Sequence, residues 1–523
     1  MKKLLSVFIA VILMIWVMPV TGFADSEMVN ILGYEIPAGT KKLSFSNTTL
    51  YDGYYCIPED KALDCKFLSE NFPDLCSLEI DWVKVENIEY LAEMKCLADL
   101  ELDSVKGTED LSFLKKMKDL ENLELYHVKG TEDLSFLKEM KSLQTFSYYN
   151  SECKDISPIK DLKNLKSLYL HTGYDTYYDI SPLGDLTKLK KLDLYVQTRD
   201  LSPLKSLTKL EDLSLRIGIR ADGLEVLSGF PKLTNLYLGG VTVSDPKHLS
   251  ELKNLKTLSL INCDFDPKES FSGIGELTGL EKLELYESGD DCMIVYEDFD
   301  APSVSKLTNL RSIEIAGYDM TDCQFLKNMK DLEEITFNQN YILSLSGMEN
   351  LSNLKTLSLS DNYIKDISPL KDLVQLKSLD LSSNYISDIS PLKDLVQLES
   401  LNLQNNAFSD ASALSELKNL KDLNISYNYS LSSGVFLNKL TKLEELNAYK
   451  THITSWSWLK NLKKLKRLTL VSYGTVKSAM LKNLDDLTEL ERIDIKGNDW
   501  TRPKEAEKYL KKFQKDHPNC KIV

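Results

Sequence analysis

The feature that most constrains the fold of this chain is a short leucine pattern that recurs along most of its length. The pattern is Leu-x-x-Leu-x-Leu, with Ile or Phe in place of some leucines, and nineteen copies lie between residues 75 and 500. Most copies start 21 to 25 residues after the one before, and from Leu332 to Leu420 the step is always 22. A fixed period of this length indicates a repeat protein rather than a series of globular domains. The copies start at Leu75, Leu97, Leu120, Leu143, Leu165, Leu189, Leu210, Leu233, Leu255, Leu280, Leu310, Leu332, Leu354, Leu376, Leu398, Leu420, Leu443, Leu465 and Leu490.

Each copy predicts a short β-strand followed by a turn and a return segment. Alternate residues of a strand point to opposite faces, so the leucines of one copy point inward together. A single copy cannot bury them, whereas stacked copies bury them in a continuous core and pair their strands in a parallel sheet. The sequence therefore predicts one long solenoid.

The return segments carry a signature of their own, Asp-x-Ser-Pro followed by Leu or Ile. It occurs at Asp155–Ile159 and again at 179–183, 200–204, 366–370 and 388–392. Serine is a good helix cap. Proline suits the first helical position because the N–H that it lacks would have no partner within the helix there. We therefore expect a single helical turn that is capped by the serine.

An asparagine recurs after the strand in the regular part of the series. A buried amide has both donors and acceptors for backbone groups of adjacent turns. We therefore predict a structural asparagine ladder, and we expect Ser382, two residues before one of its members, to face solvent. The ladder residues are Asn340, Asn362, Asn384, Asn406 and Asn428, and Cys263 and Asn498 occupy the same place in other repeats.

At this point the sequence resembles a known family. Residues 376–392 (LKSLDLSSNYISDISPL) are similar to the 22-residue leucine-rich repeats of bacterial internalins. The resemblance covers roughly residues 75–500 and is most specific between 332 and 430. It implies an α/β solenoid, a right-handed leucine-rich-repeat horseshoe with a parallel concave β-sheet and short 3-10 or helical turns on the convex side. It also implies a bacterial protein that binds other proteins through the concave sheet.

The segments outside the repeats predict four regions. Lys2 and Lys3 precede an apolar run, and Gly22 and Ala24 supply small residues for cleavage, so residues 1–24 are expected to be a signal peptide. The mature chain is then secreted, with retention at the cell surface through an uncleaved segment as the alternative. We expect an N-terminal cap over 25–74, with Leu43 and Phe45 in a capping strand. The solenoid covers 75–500, and a capping helix lies in 501–523.

The sequence contains no pattern that predicts catalysis. The five histidines (His127, His171, His248, His452 and His517) have no metal-ligand spacing, and phosphate loops and nucleophile elbows are absent. We therefore predict no enzyme activity, no cofactor and no metal. The net charge of −16 disfavours nucleic acid as a partner.

Nine cysteines follow the signal segment, and their spacings match no zinc knuckle. We expect thiols, with a disulfide among the four cysteines between residues 56 and 96 as the alternative. The acidic insertion at 289–300, within the longest repeat, is expected to be a tolerated loop, with a partner contact or cation site as the alternative.

The predicted concave face differs between the two halves of the solenoid. Early repeats place aromatic and acidic residues there, whereas late repeats place small neutral polar ones, such as Ser382 and Asn402. Exposed Tyr and Trp anchor interfaces because they bury a large area with few rotors. The predicted partner-binding residues are Trp82, Asp103, Glu124, Tyr126, His127, Tyr149, Tyr169, His171, Tyr195, Tyr237 and Tyr286.

Six of these rings are expected at matching strand positions, in one stepped row with acids such as Glu101 beside it. The row consists of Trp82, Tyr126, Tyr149, Tyr169, Tyr195 and Tyr237. This pattern favours an extracellular protein partner, host or bacterial, that presents lysines or arginines around an apolar centre. A carbohydrate ligand and a structural role in an extracellular assembly remain alternatives. We expect the mature protein to be a monomer without membrane association.

Overall fold

The computed structural model describes residues 28–48, 53–149, 153, 155–217, 224–241, 243, 246–263, 271–287, 299–470, 481–495 and 504–523. The chain divides into two compact units, unit 1 (Met1–Cys153) and unit 2 (Lys154–Val523). The predicted signal peptide, Asn498 and most of the insertion at 289–300 lie outside the described residues. Within the described part, no helix is both long and apolar enough to cross a membrane.

Unit 1 is built on a parallel sheet that uses one strand from each repeat. Its strands are β1 Met28–Ile31, β2 Tyr34–Pro37, β3 Lys42–Ser46, β4 Tyr55–Cys56, β5 Ala62–Asp64, β6 Ser77–Asp81, β7 Lys84–Glu86, β8 Asp99–Asp103, β9 Asn122–Tyr126 and β10 Thr145–Tyr149. The sheet runs β3, β6, β8, β9, β10, with β4 beside the end of β3. The strands β1 and β2 form an antiparallel hairpin, and β5 pairs with β7.

Short helical segments return the chain of unit 1 from one strand to the next. The α-helix α1 spans Cys65–Asn71, and Asp64 caps it by accepting from the Lys66 backbone N–H. The 3-10 turns span Ile88–Glu93, Ser112–Lys116 and Ser135–Glu139. In the N-terminal segment, β3 lies parallel to β6 with Leu43 opposite Leu78, so it continues the leucine core by one strand. Cys56, Cys65, Cys76 and Cys96 form no disulfide with one another.

Unit 2 repeats the same construction over many more strands. Its strands are β11 Ser167–Tyr177, β12 Lys191–Gln197, β13 Asp212–Arg216, β14 Asn235–Gly239, β15 Thr257–Ile261, β16 Lys282–Tyr286, β17 Ser312–Ala316, β18 Glu334–Thr336, β19 Thr356–Ser358, β20 Ser378–Asp380, β21 Ser400–Asn402, β22 Asp422–Asn424, β23 Glu445–Asn447, β24 Arg467–Thr469, β25 Arg492–Asp494 and β26 Lys521–Ile522. Each strand pairs in parallel with the next one in sequence. The inward leucines are buried, as at Leu379 and Leu381.

Helical returns are short in unit 2 as well. The α-helices are α2 Ala301–Val304 and α3 Lys504–Asp516. The 3-10 turns are Ser157–Asp161, Ser181–Asp185, Ser202–Ser206, Leu224–Gly229, Pro246–Glu251, Ile274–Glu276, Gln324–Asn328, Ser368–Leu370, Ser390–Asp394, Ser412–Glu416, Val435–Lys439, Ser457–Asn461 and Lys482–Leu484. The predicted leucine-rich-repeat solenoid, with a parallel sheet and 3-10 turns, is thus confirmed within each unit.

The Asp-x-Ser-Pro signature forms the predicted turns, but the prediction that serine caps them is wrong. The aspartate is the acceptor: Asp155 Oδ1 accepts from the Ser157 backbone N–H at 2.8 Å, and its Oδ2 accepts from the Ser157 hydroxyl at 2.9 Å. The same geometry recurs at Asp200 and Asp366. The backbone hydrogen bond from Ser202 to Asp200 holds the pKa of that carboxyl below its usual range. Serine is therefore the first residue of the turn, and proline is the second.

The asparagines of the ladder are buried and join adjacent repeats. The Asn384 Nδ2 donates to the carbonyls of Leu359 at 2.9 Å, Leu381 at 3.2 Å and Ser382 at 3.1 Å. Its Oδ1 accepts from the Ile364 backbone N–H at 3.0 Å. One amide thus satisfies groups in its own turn and in the preceding one. In the repeat that has Cys263 at this place, the thiol donates to the Leu238 carbonyl at 3.3 Å.

Candidate functional site

The candidate site lies on the exposed face of the parallel sheet, which we call the strand face. The first, central and last residues of a five-residue strand point to this face, because side chains alternate along a strand. In unit 1 the central residues in strand order are Ser44, Glu79, Glu101, Glu124 and Ser147. The last residues are Ser46, Asp81, Asp103, Tyr126 and Tyr149. Each set is in register across adjacent strands.

Three glutamates therefore stand side by side in unit 1, about one strand spacing (~4.8 Å) apart. Glu79 has local partners: Lys42 forms an ion pair with it, and the Ser44 hydroxyl donates to it at 2.7 Å. Burial alone would raise the pKa of Glu79, but these bonds outweigh it and lower the pKa. No cation among the described residues forms an ion pair with Glu101. Burial, and then repulsion from Glu124 and Glu79, raises the pKa of Glu101 to about 8. The middle of the row thus lacks a counter-charge.

The third glutamate is tied to an aromatic ring. Glu124 and Tyr126 are two residues apart on β9 and therefore share a face, where the phenol donates a hydrogen bond to the Glu124 carboxylate. Burial and the Glu124 charge raise the pKa of Tyr126, so the phenol stays protonated. In the row of last strand residues, burial and the nearby Asp103 raise the pKa of Asp81. The face is consequently acidic and aromatic at once.

Two large side chains border this face from the turns that follow the strands. Trp82 and His127 have positive φ values of 57° and 51°, which turn the chain sharply at the end of a strand. Trp82 is 46% exposed. The His127 ring lies 4.6 Å from the Tyr149 ring, and its Nδ1 lies 3.6 Å from Asp103 Oδ1. The predicted residues Asp103, His127 and Tyr149 are therefore brought together.

Unit 2 begins with a second cluster of different composition. His171 Nε2 and Arg216 Nη1 lie 3.4 and 3.6 Å from the same atom, Asp193 Oδ1. Burial alone would raise the pKa of Asp193, but these neighbours lower it. The Arg216 guanidinium also lies over the Tyr237 ring, 4.5 Å from its centroid. Gly239, opposite Arg216 in the register, leaves room for this contact, because a Cβ there would lie 3.0 Å from the Tyr237 ring.

The expectation of one row of six rings at matching positions is wrong. Tyr126, Tyr149 and Tyr195 occupy the fifth position of their strands, whereas Tyr169 and Tyr237 occupy the third, and Trp82 lies one residue beyond its strand. The third position lies between the two inward residues of the strand, and the fifth follows them, so the rings form separate rows. Within unit 2, the Tyr195 ring lies 5.7 Å from His171, and Lys191 lies over the Tyr169 ring at 5.4 Å.

Tyr286 stands apart from the cluster at the start of unit 2. It is the last residue of β16, in register with Ile261 and Ala316. Tyr237 is a central residue two strands earlier, on β14. Within unit 2, the structure therefore does not bring Tyr286 together with Tyr169, Tyr195 or Tyr237.

Late repeats of unit 2 bind their polar side chains to one another. Asp380 Oδ1 accepts from the Ser382 backbone N–H at 2.8 Å and from its hydroxyl at 2.6 Å, and Asp380 Oδ2 accepts from Asn402 Nδ2 at 3.0 Å. The Asn424 amide donates to Gln404 Oε1 at 3.0 Å. Ser382 is only 8% exposed, so the expectation that it faces solvent is wrong. These polar groups are already satisfied within the chain.

Three features were not predicted from the sequence. Arg216 was missed because the prediction selected aromatic and acidic residues, although Arg216 follows the inward Leu215 as Tyr126 follows Leu125. The uncompensated Glu101 follows from three glutamates at one repeat position. Stacked tyrosines follow the asparagine ladder, and the recurring Asn-Tyr-Ile triplet marks them. Among the described residues, no group of three or more His, Cys, Asp or Glu is arranged to hold a metal ion.

Comparisons with known proteins agree with this architecture. A family model described as "Leucine Rich repeats (2 copies)" matches residues 352–394. The chain is similar to the crystal structure of an internalin, InlF of Listeria monocytogenes, with 31% identity and a TM-score of 0.51, over 59% of this chain and 88% of that one. It is similar in fold to TLR13 in complex with ssRNA13, with 18% identity and a TM-score of 0.57, over 87% of this chain and 77% of that one. A search of curated protein sequences gives no match.

Proposed function

Since the chain belongs to the internalin family of leucine-rich-repeat proteins, we propose that it is a secreted binding protein without enzymatic activity. Its strand face binds an extracellular protein of the host or of a bacterial surface. Leucine-rich-repeat proteins of this family are protein-binding scaffolds, which supports the general role. The signal-like segment at residues 1–24 supports secretion.

The observation that carries this proposal is the uncompensated glutamate row of unit 1. Glu101 stands between two carboxylates, and within the described part of the chain no cation pairs with it. A lysine or arginine of a partner would supply the missing charge, in a half-buried place where an ion pair is stronger than in water. Trp82 and Tyr149, with 46% and 36% of their surfaces exposed, provide apolar area next to the acids.

The cluster at the start of unit 2 supports a second contact of mixed charge. There Asp193, His171 and Arg216 alternate with tyrosine rings. The late strand face contrasts with both, because its amides, hydroxyls and carboxylates bind one another. A partner that displaced those bonds would gain little. The proposed contacts are therefore the strand face of unit 1 and, separately, the first strands of unit 2.

The proposal is tested by binding measurements on the mature chain, residues 25–523. Purified extracellular and bacterial surface proteins are screened by biolayer interferometry, and a hit is then measured against variants. We expect the double variant Tyr126→Ala, Tyr149→Ala to bind at least tenfold more weakly, because truncated hot spots cost about 2 kcal/mol or more. The control is Thr336→Ala with Thr469→Ala, the last residues of the three-residue strands β18 and β24 in the late repeats.

Each outcome has a defined meaning. Association that slows as salt rises, together with sensitivity to the tyrosine pair alone, supports an acidic-aromatic contact with a basic protein. Equal sensitivity to both variant pairs, or to the threonine pair alone, contradicts the placement of the site. A glycan array that gives ligands with the same dependence on the tyrosines would replace the protein partner with a carbohydrate.

A further inference from the structure

Three tyrosine rings stack on one another outside the strand face of unit 2. Tyr341, Tyr363 and Tyr385 each follow an asparagine of the ladder. The first two ring centroids are 5.6 Å apart with planes 5° from parallel, and the second two are 5.9 Å apart with planes at 18°. We call these residues the tyrosine stack. They lie in the turns beyond the strands, so this inference does not rest on the function proposed above.

The stack ends at an alanine that occupies the next rung. The backbone N–H groups of Tyr363 and Tyr385 donate to the Ile342 and Ile364 carbonyls at 3.0 and 2.9 Å. One repeat further on, the Ala407 N–H donates to the Ile386 carbonyl at 2.9 Å in the same pattern. The backbone therefore continues unchanged, while the ring is replaced by a methyl group.

Exposure rises along the stack toward that end. Tyr341 is partly buried, Tyr363 is 42% exposed and Tyr385 is 54% exposed. Ala407 itself is exposed. Among the described residues, Tyr385 has no ring contact besides the one with Tyr363, and the next rung carries the methyl group of Ala407. The periodic spacing leaves room there for one more planar group.

We propose that the space over Ala407 is a binding site for a single aromatic side chain of a partner protein, which stacks on Tyr385 as the fourth ring. Offset-stacked rings prefer centroid separations of about 4.5–7 Å, and the repeat supplies this spacing. Asn405 and Ser409, exposed residues two positions before and after Ala407, carry groups that can hydrogen-bond an indole N–H or a phenol.

The geometry favours an aromatic side chain over a polysaccharide. A flat glycan chain needs several ring faces side by side, whereas the rings of the stack cover one another's faces. A single open face next to the Ala407 methyl group fits one planar ring.

The test uses N-acetyltryptophanamide as the probe and the mature chain as the receptor, with saturation-transfer NMR and titration. We expect weak binding, in the millimolar range, with saturation transfer to the indole ring. Ala407→Tyr fills the rung with the residue found at the three preceding ones, and Tyr385→Ala removes the open face. Both variants are expected to weaken probe binding at least tenfold. Tyr341→Ala, at the far end of the same stack, is the matched control and is expected to retain binding within twofold.

The contrary results are equally clear. A probe that does not bind wild-type protein, or that binds Ala407→Tyr as well as wild type, overturns the proposal. Binding of methyl β-glucoside with the same dependence on Tyr385 and Ala407, without binding of the indole, assigns the site to carbohydrate instead. Because Ala407→Tyr repeats a pattern that the fold already accommodates, its loss of binding would not reflect unfolding. Circular dichroism of each variant verifies this.

Discussion

Replacing Glu101 by glutamine should stabilise unit 1, and more so as the pH rises. The pKa of this carboxyl is raised to about 8, first by burial and then by Glu124 and Glu79. Below the usual value of 4.5, folded and unfolded chains are both protonated and the carboxyl has no effect on stability. Between 4.5 and about 8 the unfolded chain releases the proton while the folded chain retains it, which favours unfolding. Above about 8 the destabilisation is complete.

The magnitude follows from the same values. Each pH unit between the usual and the raised pKa corresponds to about 1.4 kcal/mol, so the upper bound at pH 8.5 is about 5 kcal/mol. Glu101 is half-buried and water screens part of the repulsion, which reduces the expected effect to about 2 kcal/mol. Because pH 6 lies less than halfway from 4.5 to about 8, we expect Glu101→Gln to stabilise unit 1 by only about 1 kcal/mol at that pH. The advantage of Glu101→Gln should therefore roughly double between pH 6 and pH 8.5.

Native-state hydrogen exchange of peptides that cover β6, β8 and β9 reports the stability of this sheet directly. Variant and wild type are compared at equal pH, so that the intrinsic exchange rate cancels. The matched control is Glu79→Gln on the neighbouring strand. Hydrogen bonds from Lys42 and Ser44 lower the pKa of Glu79, so Glu79→Gln should destabilise unit 1 at both pH values. A Glu101→Gln variant that is less stable than wild type, or whose advantage does not change with pH, would refute the reasoning.

Two further predictions concern the backbone of unit 2. Asn384→Ala removes four hydrogen bonds to buried turn groups and should lower the free energy of unfolding by about 1–3 kcal/mol, whereas Ser387→Ala, at an exposed site, should leave urea unfolding unchanged. Equal unfolding curves would contradict the ladder interpretation. Gly347→Ala should destabilise by more than about 1 kcal/mol, because Gly347 has a φ of 105° and its added Cβ would collide with the Cys323 carbonyl. Gly279→Ala, whose Cβ would meet nothing closer than 3.6 Å, is the control.

The fold could be predicted from the sequence because the same pattern of strand and turn residues recurs in many repeats. Period, inward leucines and turn residues all predict the same coil, and such agreement between levels is what specifies a structure. The repeat pattern did not, however, predict which side chain caps the helical turn. Ser157 and Asp155 both carry groups that cap helices, and their order in the sequence does not reveal which one accepts.

The candidate site was predicted in composition but not in arrangement. The predicted row pooled two repeat positions, the residue between the inward leucines (Tyr169 and Tyr237) and the residue after them (Tyr126 and Tyr195), and these positions form separate rows on the sheet. Exposure was misjudged for a similar reason. Ser382 is nonetheless buried: its hydroxyl donates to Asp380 in the same repeat, and Asn402 of the next strand donates to the same carboxylate. Polar side chains on adjacent parallel strands are close enough to satisfy one another, which no single repeat shows.

One residue in left-handed backbone follows the strand in many of the described repeats. In the 22-residue run this position holds Gln339, Asp361, Ser383 and Asn405, whose short or flexible polar side chains tolerate a positive φ, and also Tyr427. In unit 1 the same position holds Trp82, Ser104 and His127. A bulky or ring-bearing side chain in this region is uncommon and costs on the order of 1 kcal/mol. Replacement of Trp82 by asparagine should therefore stabilise the turn while it removes an exposed ring. If Trp82→Asn unfolds at a lower urea concentration than wild type, the ring stabilises the fold by packing and the reasoning is wrong. If the variant unfolds at a higher urea concentration and binds a partner less well, Trp82 contributes to binding at the expense of stability.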